Sequence, residues 1–396
     1  MAKALTKHQT RERQKVKKPR TKEKNATARD MDYTFLLVLV IMVCFGLVML
    51  LSASAPAANV KANGNSYHFF TKQLISVCVG LVAMFVISRI DYHIWKKYTK
   101  LFIIACTVLL VLVLIPGIGK FFNGSRRWIQ LPGFQLQPSE FMKIAIILHF
   151  AAMIEKDSTK IRTLKGMIPY LAWIGVAAVL VILEPHLSGT ILIVGISVVV
   201  MLIGGAPTWF FAAGAVPAGL GVLGIALLSP NRRGRLVSFL SPFADTKGKG
   251  WQIVQSLYAI GSGGFFGLGL GQSRQKYSYL PEPYNDFIFS VICEELGLLG
   301  AILVIALFVG LIIRGIKIAT EAPDTFGTLL VAGIVAQVSI QAILNIAVAT
   351  SSIPNTGISL PFFSYGGTAI VILLAEMGLV LSVSRYGRKV KKQESR

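Results

Sequence analysis

Ten predominantly apolar runs divide the chain, at 33–54, 73–90, 101–117, 138–154, 167–184, 187–204, 208–229, 286–313, 326–349 and 366–384. A helix needs about twenty such residues to cross a bilayer, so each run predicts one span. The fold class expected is therefore all-α and polytopic, with about ten transmembrane helices. The longest polar connection, 230–285, becomes a large loop between the seventh and eighth spans. Residues 1–32 contain no apolar stretch and read as a basic disordered tail. The transmembrane domain then covers 33–385, and 386–396 forms a second short basic tail.

Charge sets the orientation. An even number of spans puts both ends on one side, and both ends are basic: eleven Lys or Arg precede the first span and six follow from Arg385 onward. The connections assigned to that side hold Arg89, Lys96, Lys97 and Lys100, then Lys156, Lys160, Arg162 and Lys165, then Arg314 and Lys317. That is 27 of the 40 basic residues, and the positive-inside rule makes this side cytoplasmic. The net charge of +22 would point to nucleic acid in a soluble protein, but 54% hydrophobic and 15% charged residues exclude a soluble globule. The four cysteines (Cys44, Cys78, Cys106 and Cys293) and five histidines show no metal spacing, and no metal site is expected from them.

The outer side breaks the charge rule. Lys120, Arg126 and Arg127 share one outer loop, and seven more cations, including Arg235 and Lys276, lie in 230–285. Cations placed against the bias fit an anionic ligand, or alternatively phospholipid headgroups. Inside the spans, ionisable residues call for a partner or a cavity. Glu140 and Lys143 are three apart, on one helical face, and can pair. Asp286, Glu294 and Glu295 share a run, with Glu294 about 12 Å deeper than Asp286. Only Asp286 sits at the outer mouth, as a general base or as a helix N-cap. The stretch Gly261–Gly271 has six glycines, which would suit either a phosphate nest or close helix packing.

Several ordered segments resemble the SEDS family of bacterial cell-wall synthesis (shape, elongation, division and sporulation). They are Asn123-Gly-Ser-Arg-Arg-Trp128, Gln137-Pro-Ser-Glu140, Gln255-Ser-Leu-Tyr-Ala-Ile-Gly261, Gly267-Leu-Gly-Leu-Gly-Gln-Ser273, Tyr279-Leu-Pro-Glu-Pro-Tyr-Asn-Asp-Phe-Ile-Phe289, Glu294-Glu-Leu-Gly297, Ile353-Pro-Asn-Thr-Gly-Ile-Ser-Leu-Pro-Phe362 and Ser364-Tyr-Gly-Gly367. The segment 267–289 is most similar to the division and sporulation branch. Two places depart from the pattern: His186 stands where the family commonly has an acid, and Thr368-Ala369 stands where serines are usual.

The resemblance implies a peptidoglycan glycosyltransferase of the bacterial cytoplasmic membrane, at the division septum. Its substrates would be lipid II and glycan linked to undecaprenyl pyrophosphate. Its partners would be a class B penicillin-binding protein and other division proteins, without nucleic acid. Asp286 takes the position of the family's catalytic aspartate. Arg126, Arg127, Trp128, Arg235, Lys276 and Ser364 are the candidate substrate-binding residues, and Glu140, Lys143, Glu294 and Glu295 a structural polar network. No cofactor is required by the sequence, although Mg or Mn would suit the pyrophosphate. The competing class is a lipid II flippase, for which two corresponding halves are expected and none is legible.

Overall fold

The structure, a computed structural model, describes residues 30–122, 125–131, 134–228, 234, 238–244, 248 and 250–387. The outer parts of both basic tails lie outside the described residues. All ten apolar runs are helical: α1 (Tyr33–Lys61), α2 (His68–Arg89), α3 (His93–Leu114), α4 (Pro138–Lys156), α5 (Leu164–Leu183), α6 (Leu187–Ile203), α7 (Thr208–Leu228), α9 (Ile288–Thr320), α10 (Thr325–Ala349) and α11 (Gly367–Gly387). Among the described residues, seven of them are long and apolar enough to cross a membrane by length and composition. Among the others, α4 carries Glu140, Lys143, Glu155 and Lys156, and α6 is only 17 residues long.

Side-chain oxygens cap several helix starts, as the free amides there require. Asp32 accepts from the amide of Phe35 (2.9 Å), Thr163 from Gly166 (3.2 Å) and Asp324 from Gly327 (2.6 Å). α11 is the most enclosed span, with 78% of its apolar window buried against 22% for α2 and for α5. It lies along α2, where glycines let the backbones approach, as is usual between membrane helices. A Cβ at Gly80 would fall 2.6 Å from Leu374, and one at Gly378 would fall 2.7 Å from the carbonyl oxygen of Met84.

Two elements do not follow from the apolar pattern. The outer loop between α3 and α4 forms a three-stranded antiparallel sheet, β1 (Gly119–Phe122), β2 (Ser125–Leu131) and β3 (Phe134–Leu136), in the order β1-β2-β3. Lys120 pairs with Trp128, Phe121 with Arg126 across a register shift, and Ile129 with Leu136. The hydroxyl of Thr368 donates to the carbonyl of Gln135 and docks β3 on the start of α11.

The second is α8 (Trp251–Ser262), which lies inside the connection read as a large outer loop. It buries Ile253, Val254, Gln255, Ser256 and Ala259. The glycine-rich stretch after it re-enters the protein beside α9. There Leu268 and Gly269 donate to the carbonyls of Glu294 and Glu295 (2.9 and 3.0 Å), and Leu298 donates back to Gly264 (3.0 Å). α9 is broken at this level, because Gly297 has φ +64° and non-helical ψ. A side chain on Gly263 or Gly267 would strike the carbonyl oxygen of Cys293 or Glu295 at about 2 Å. The glycines therefore serve close packing, and these amides are taken by carbonyls rather than held open as a phosphate nest.

Candidate active site

Asp286 lies ahead of α9, half-buried, with Phe287 in the N-cap position and no side-chain cap bond there. Two side chains hold the backbone of the turn that carries it. Asn345, fully buried on α10, donates from Nδ2 to the carbonyl of Asp286 (2.9 Å) and to that of Ile358 (2.7 Å). Ser364 donates to the carbonyl of Asn285 (2.5 Å) and accepts from the amide of Leu360 (2.8 Å). Gly357, with φ +69°, faces the carboxylate, and a Cβ there would sit 3.3 Å from Asp286 Oδ2. Gln73 on α2 holds the same segment, accepting from the amide of Gly366 (3.1 Å) and donating to the carbonyl of Ser364 (3.3 Å).

Glu140 and Lys143 form the expected ion pair (2.7 Å) in the first turns of α4. The pair lines a cavity of about 20 Å³, room for one water, together with Gln341, Ser359, Ser364 and Tyr365. The pair and the segment that supports Asp286 therefore share one small polar space. Glu376, deeper on α11, accepts from Gln337 (2.8 Å).

The remaining predicted residues divide. Arg126 lies over the ring of Phe121 (5.9 Å), and Trp128 stands opposite Lys120 on β2. Arg127 is directed at the turn between α5 and α6, where it donates to the carbonyls of Glu184 (3.3 Å) and Pro185. Burial, partly offset by Arg127, pushes Glu184 up to about 8. Burial, reinforced by Arg127 and Lys143, pushes His186 down to about 3 and keeps it neutral. Arg235 lies outside the described residues.

Lys276 lies inside the protein rather than on an exposed outer loop. It is buried, and its ammonium donates to Glu295 (2.7 Å), Ser52 (3.0 Å) and the carbonyl of Gly271 (2.7 Å), so all three donors are used inside the protein. Ser364 is likewise engaged with backbone on both sides. The single polar network expected of Glu140, Lys143, Glu294 and Glu295 is two. Glu294 accepts from Ser273 Oγ (2.5 Å) and the amide of Arg274 (2.8 Å), and with Glu295 it anchors the re-entrant loop.

Asn345 and Gln73 were not among the predicted site residues. Amide side chains inside apolar spans are the signal that marks them, Gln73 alone in its run and Asn345 together with Gln337 and Gln341, since such groups are retained where they find a partner. Among the described residues no three His, Cys, Asp or Glu side chains converge to hold a metal ion.

The site thus sits in a many-helix membrane bundle, with a half-buried carboxylate ahead of α9, a buried ion pair and basic strands. The chain belongs to the cell cycle protein family of FtsW, RodA and SpoVE, whose model matches residues 32–389. It is 44% identical over 344 residues to stage V sporulation protein E of Bacillus subtilis, covering 87% of this chain and 94% of that protein. It is 42% identical over 341 residues to a probable peptidoglycan glycosyltransferase FtsW of Trichlorobacter lovleyi, covering 86% and 89%. Its fold is similar to the rod shape determining protein RodA of Thermus thermophilus (TM-score 0.68, 25% identity, 91% of this chain and 98% of that one). It is also similar to a chain of a peptidoglycan synthase complex that coordinates polymerization and crosslinking (TM-score 0.76, 27% identity, 91% and 99%).

Proposed function

We propose that this protein is a peptidoglycan glycosyltransferase that polymerises lipid II at the outer face of the membrane, with Asp286 as general base. The observation that supports the reading is the anchoring of the backbone at Asn285 and Asp286 by Ser364 and Asn345, with Gly357 leaving the carboxylate room. A carboxylate held so closely by its backbone suits an acceptor hydroxyl that must be met at hydrogen-bond distance.

Glycosidases use two carboxyl groups, one of them to protonate the leaving group. A lipid pyrophosphate leaves without that help, so one carboxylate suffices. The acceptor 4-hydroxyl oxygen attacks the anomeric carbon of the donor, and its proton passes to Asp286. The bond from that carbon to the phosphate oxygen breaks, and the pyrophosphate departs with the electron pair. Attack opposite an α-linked pyrophosphate gives a β-1,4 bond with inversion. Arg126 supplies positive potential as the leaving group gains charge. Lys276 has no part in this step. A divalent cation would add to the same stabilisation, with no residue assigned to hold it.

Three further assignments rest on the family resemblance of the sequence: a class B penicillin-binding partner, other division proteins, and a place at the septum. The transport alternative calls for an interrupted helix beside a passage. α9 is interrupted, but the amides beyond its break bond to loop carbonyls. That favours a packed joint over a path.

The test is polymerisation of lipid II by purified protein, with and without a class B penicillin-binding protein. Asp286→Asn should lower the rate by at least ~10²-fold, within the range for a positioned base, with an unchanged melting temperature. Near-normal glycan synthesis by that variant would remove Asp286 from the role. Flipping of lipid II in proteoliposomes by a wild type that makes no glycan would favour the transporter instead.

A further inference from the structure

A groove of about 520 Å³ runs along the outer half of α1, outside the site described above. Its floor is Val48, Leu51, Ala55 and Pro56, and its far wall is Leu270 and Tyr277 of the re-entrant segment. From Val48 to Asn59 it follows α1 for about 16 Å at 1.5 Å per residue. Both flanks present apolar surface outward, Val48 being 47% exposed and Leu270 55%. The volume falls within the usual 300–1,000 Å³ of small-ligand sites.

We propose that this groove seats the polyprenyl chain of the lipid-pyrophosphate substrate, with Lys61 facing its phosphates. The inference rests on the glycosyltransferase reading and assigns where that substrate's tail lies. Size excludes a partner helix: a helix ~10 Å wide along the same 16 Å occupies on the order of 1,200 Å³, more than twice the groove. Charge places the head. Within the groove wall Lys276 is neutralised by Glu295 and its donors are all used, so the apolar section attracts no anion. Lys61, two residues beyond Asn59, keeps its side chain 56% exposed. It donates to the hydroxyl of Tyr284 (3.0 Å) and forms a loose, solvent-exposed ion pair with Glu282 (3.8 Å) that a phosphate can displace, so donors remain for phosphate. Tyr284 precedes Asp286 by two residues. A phosphate at Lys61 therefore places the sugar end toward the carboxylate while the tail lies along α1. This continuity with the site distinguishes a substrate lipid from bulk phospholipid.

The test compares two lipid II analogues with the same headgroup, one with a full-length polyprenyl chain and one with a few isoprene units. Wild type is expected to show a lower KM for the long chain. Ala55→Trp, which fills the groove, should bring the ratio of the two KM values toward one, losing a preference of at least ~10-fold if a few methylene groups are buried there. Lys61→Gln should raise both KM values together, because both analogues carry the pyrophosphate. An Ala55→Trp protein that keeps the wild-type ratio would overturn the assignment. Should that variant fail to fold, a photoreactive benzophenone at Tyr277 decides: labelling of long-chain lipid II over phosphatidylglycerol supports the groove, and labelling of phosphatidylglycerol alone refutes it. A wild type that polymerises neither analogue defeats the glycosyltransferase reading, and the crosslink still decides the groove.

Discussion

Lys143 and Lys276 are both buried to 3% side-chain exposure in the outer half of the molecule, and each pairs with a glutamate at 2.7 Å. Their surroundings differ. Lys276 meets a carboxylate that is wholly buried, a hydroxyl and a carbonyl, with every donor matched. Lys143 meets a carboxylate that is 15% exposed and borders a cavity the size of one water. A buried ion pair whose partners are all protein is a fastening. One that keeps a wet side retains capacity to respond to a ligand's charge.

That contrast can be broken by experiment. The largest stability effect belongs to Lys276→Met, which strands Glu295 in the interior. About 3–5 kcal/mol should be lost, the usual penalty for an orphaned buried charge, read as a lower melting temperature in detergent. Lys143→Met should cost about 1–2 kcal/mol, since Glu140 can be rehydrated through its open side, yet it should cut glycan synthesis more than any folding defect explains. Equal melting penalties for the two variants would erase the distinction.

A pH series sharpens the same comparison at Arg127. Glu184 ordinarily titrates near 4.5 and in the fold near 8, so between those values the folded chain holds a proton that the unfolded chain has lost. Stability from this group therefore falls as pH rises through the window. His186 acts in the opposite direction: held near 3 against an ordinary 6.5, it makes stability fall as pH drops below 6.5. Glu184→Gln should gain most over wild type near pH 8, on the order of a few kcal/mol, with the advantage shrinking toward pH 5. A pH-independent difference between the two melting curves would contradict the assignment.

The smallest effect concerns Arg126, on the half-buried sheet. Arg126→Gln should slow lipid II turnover several-fold, and the defect should persist at raised salt, because screening over about 8–10 Å acts mainly between exposed charges. A defect confined to liposomes and absent in detergent would make Arg126 a headgroup anchor.

Much of this was legible in the amino-acid sequence because the bilayer restricts the choices. The length of each apolar run locates its helix, and the place of Asp286 just ahead of α9 was legible from the start of its run. The burial of Lys276 was not legible for a definite reason. Its basic neighbours and the polar character of 230–285 indicate an exposed loop, while the partner that draws it inward lies 19 residues on. The corrective signal was Glu294 and Glu295 themselves, two carboxylates within an apolar run that require donors. The sheet at 119–136 and helix α8 escaped because both lie in connections, where apolar run length carries no information.

The break at Gly297 also bears on how the protein is made. The loop that seals it, residues 263–269, is synthesised before α9 and has no partner until Glu294 and Glu295 emerge. Those two carboxylates in turn lack Lys276, Ser273 and Ser52 if they enter the bilayer alone. Insertion of this region is thus a joint event: the hairpin from Trp251 to Thr320 enters the membrane as a unit, against an α1 already in place. A chain stalled between these elements would leave two unpaired carboxylates at the insertion machinery, a defined point for quality control to recognise.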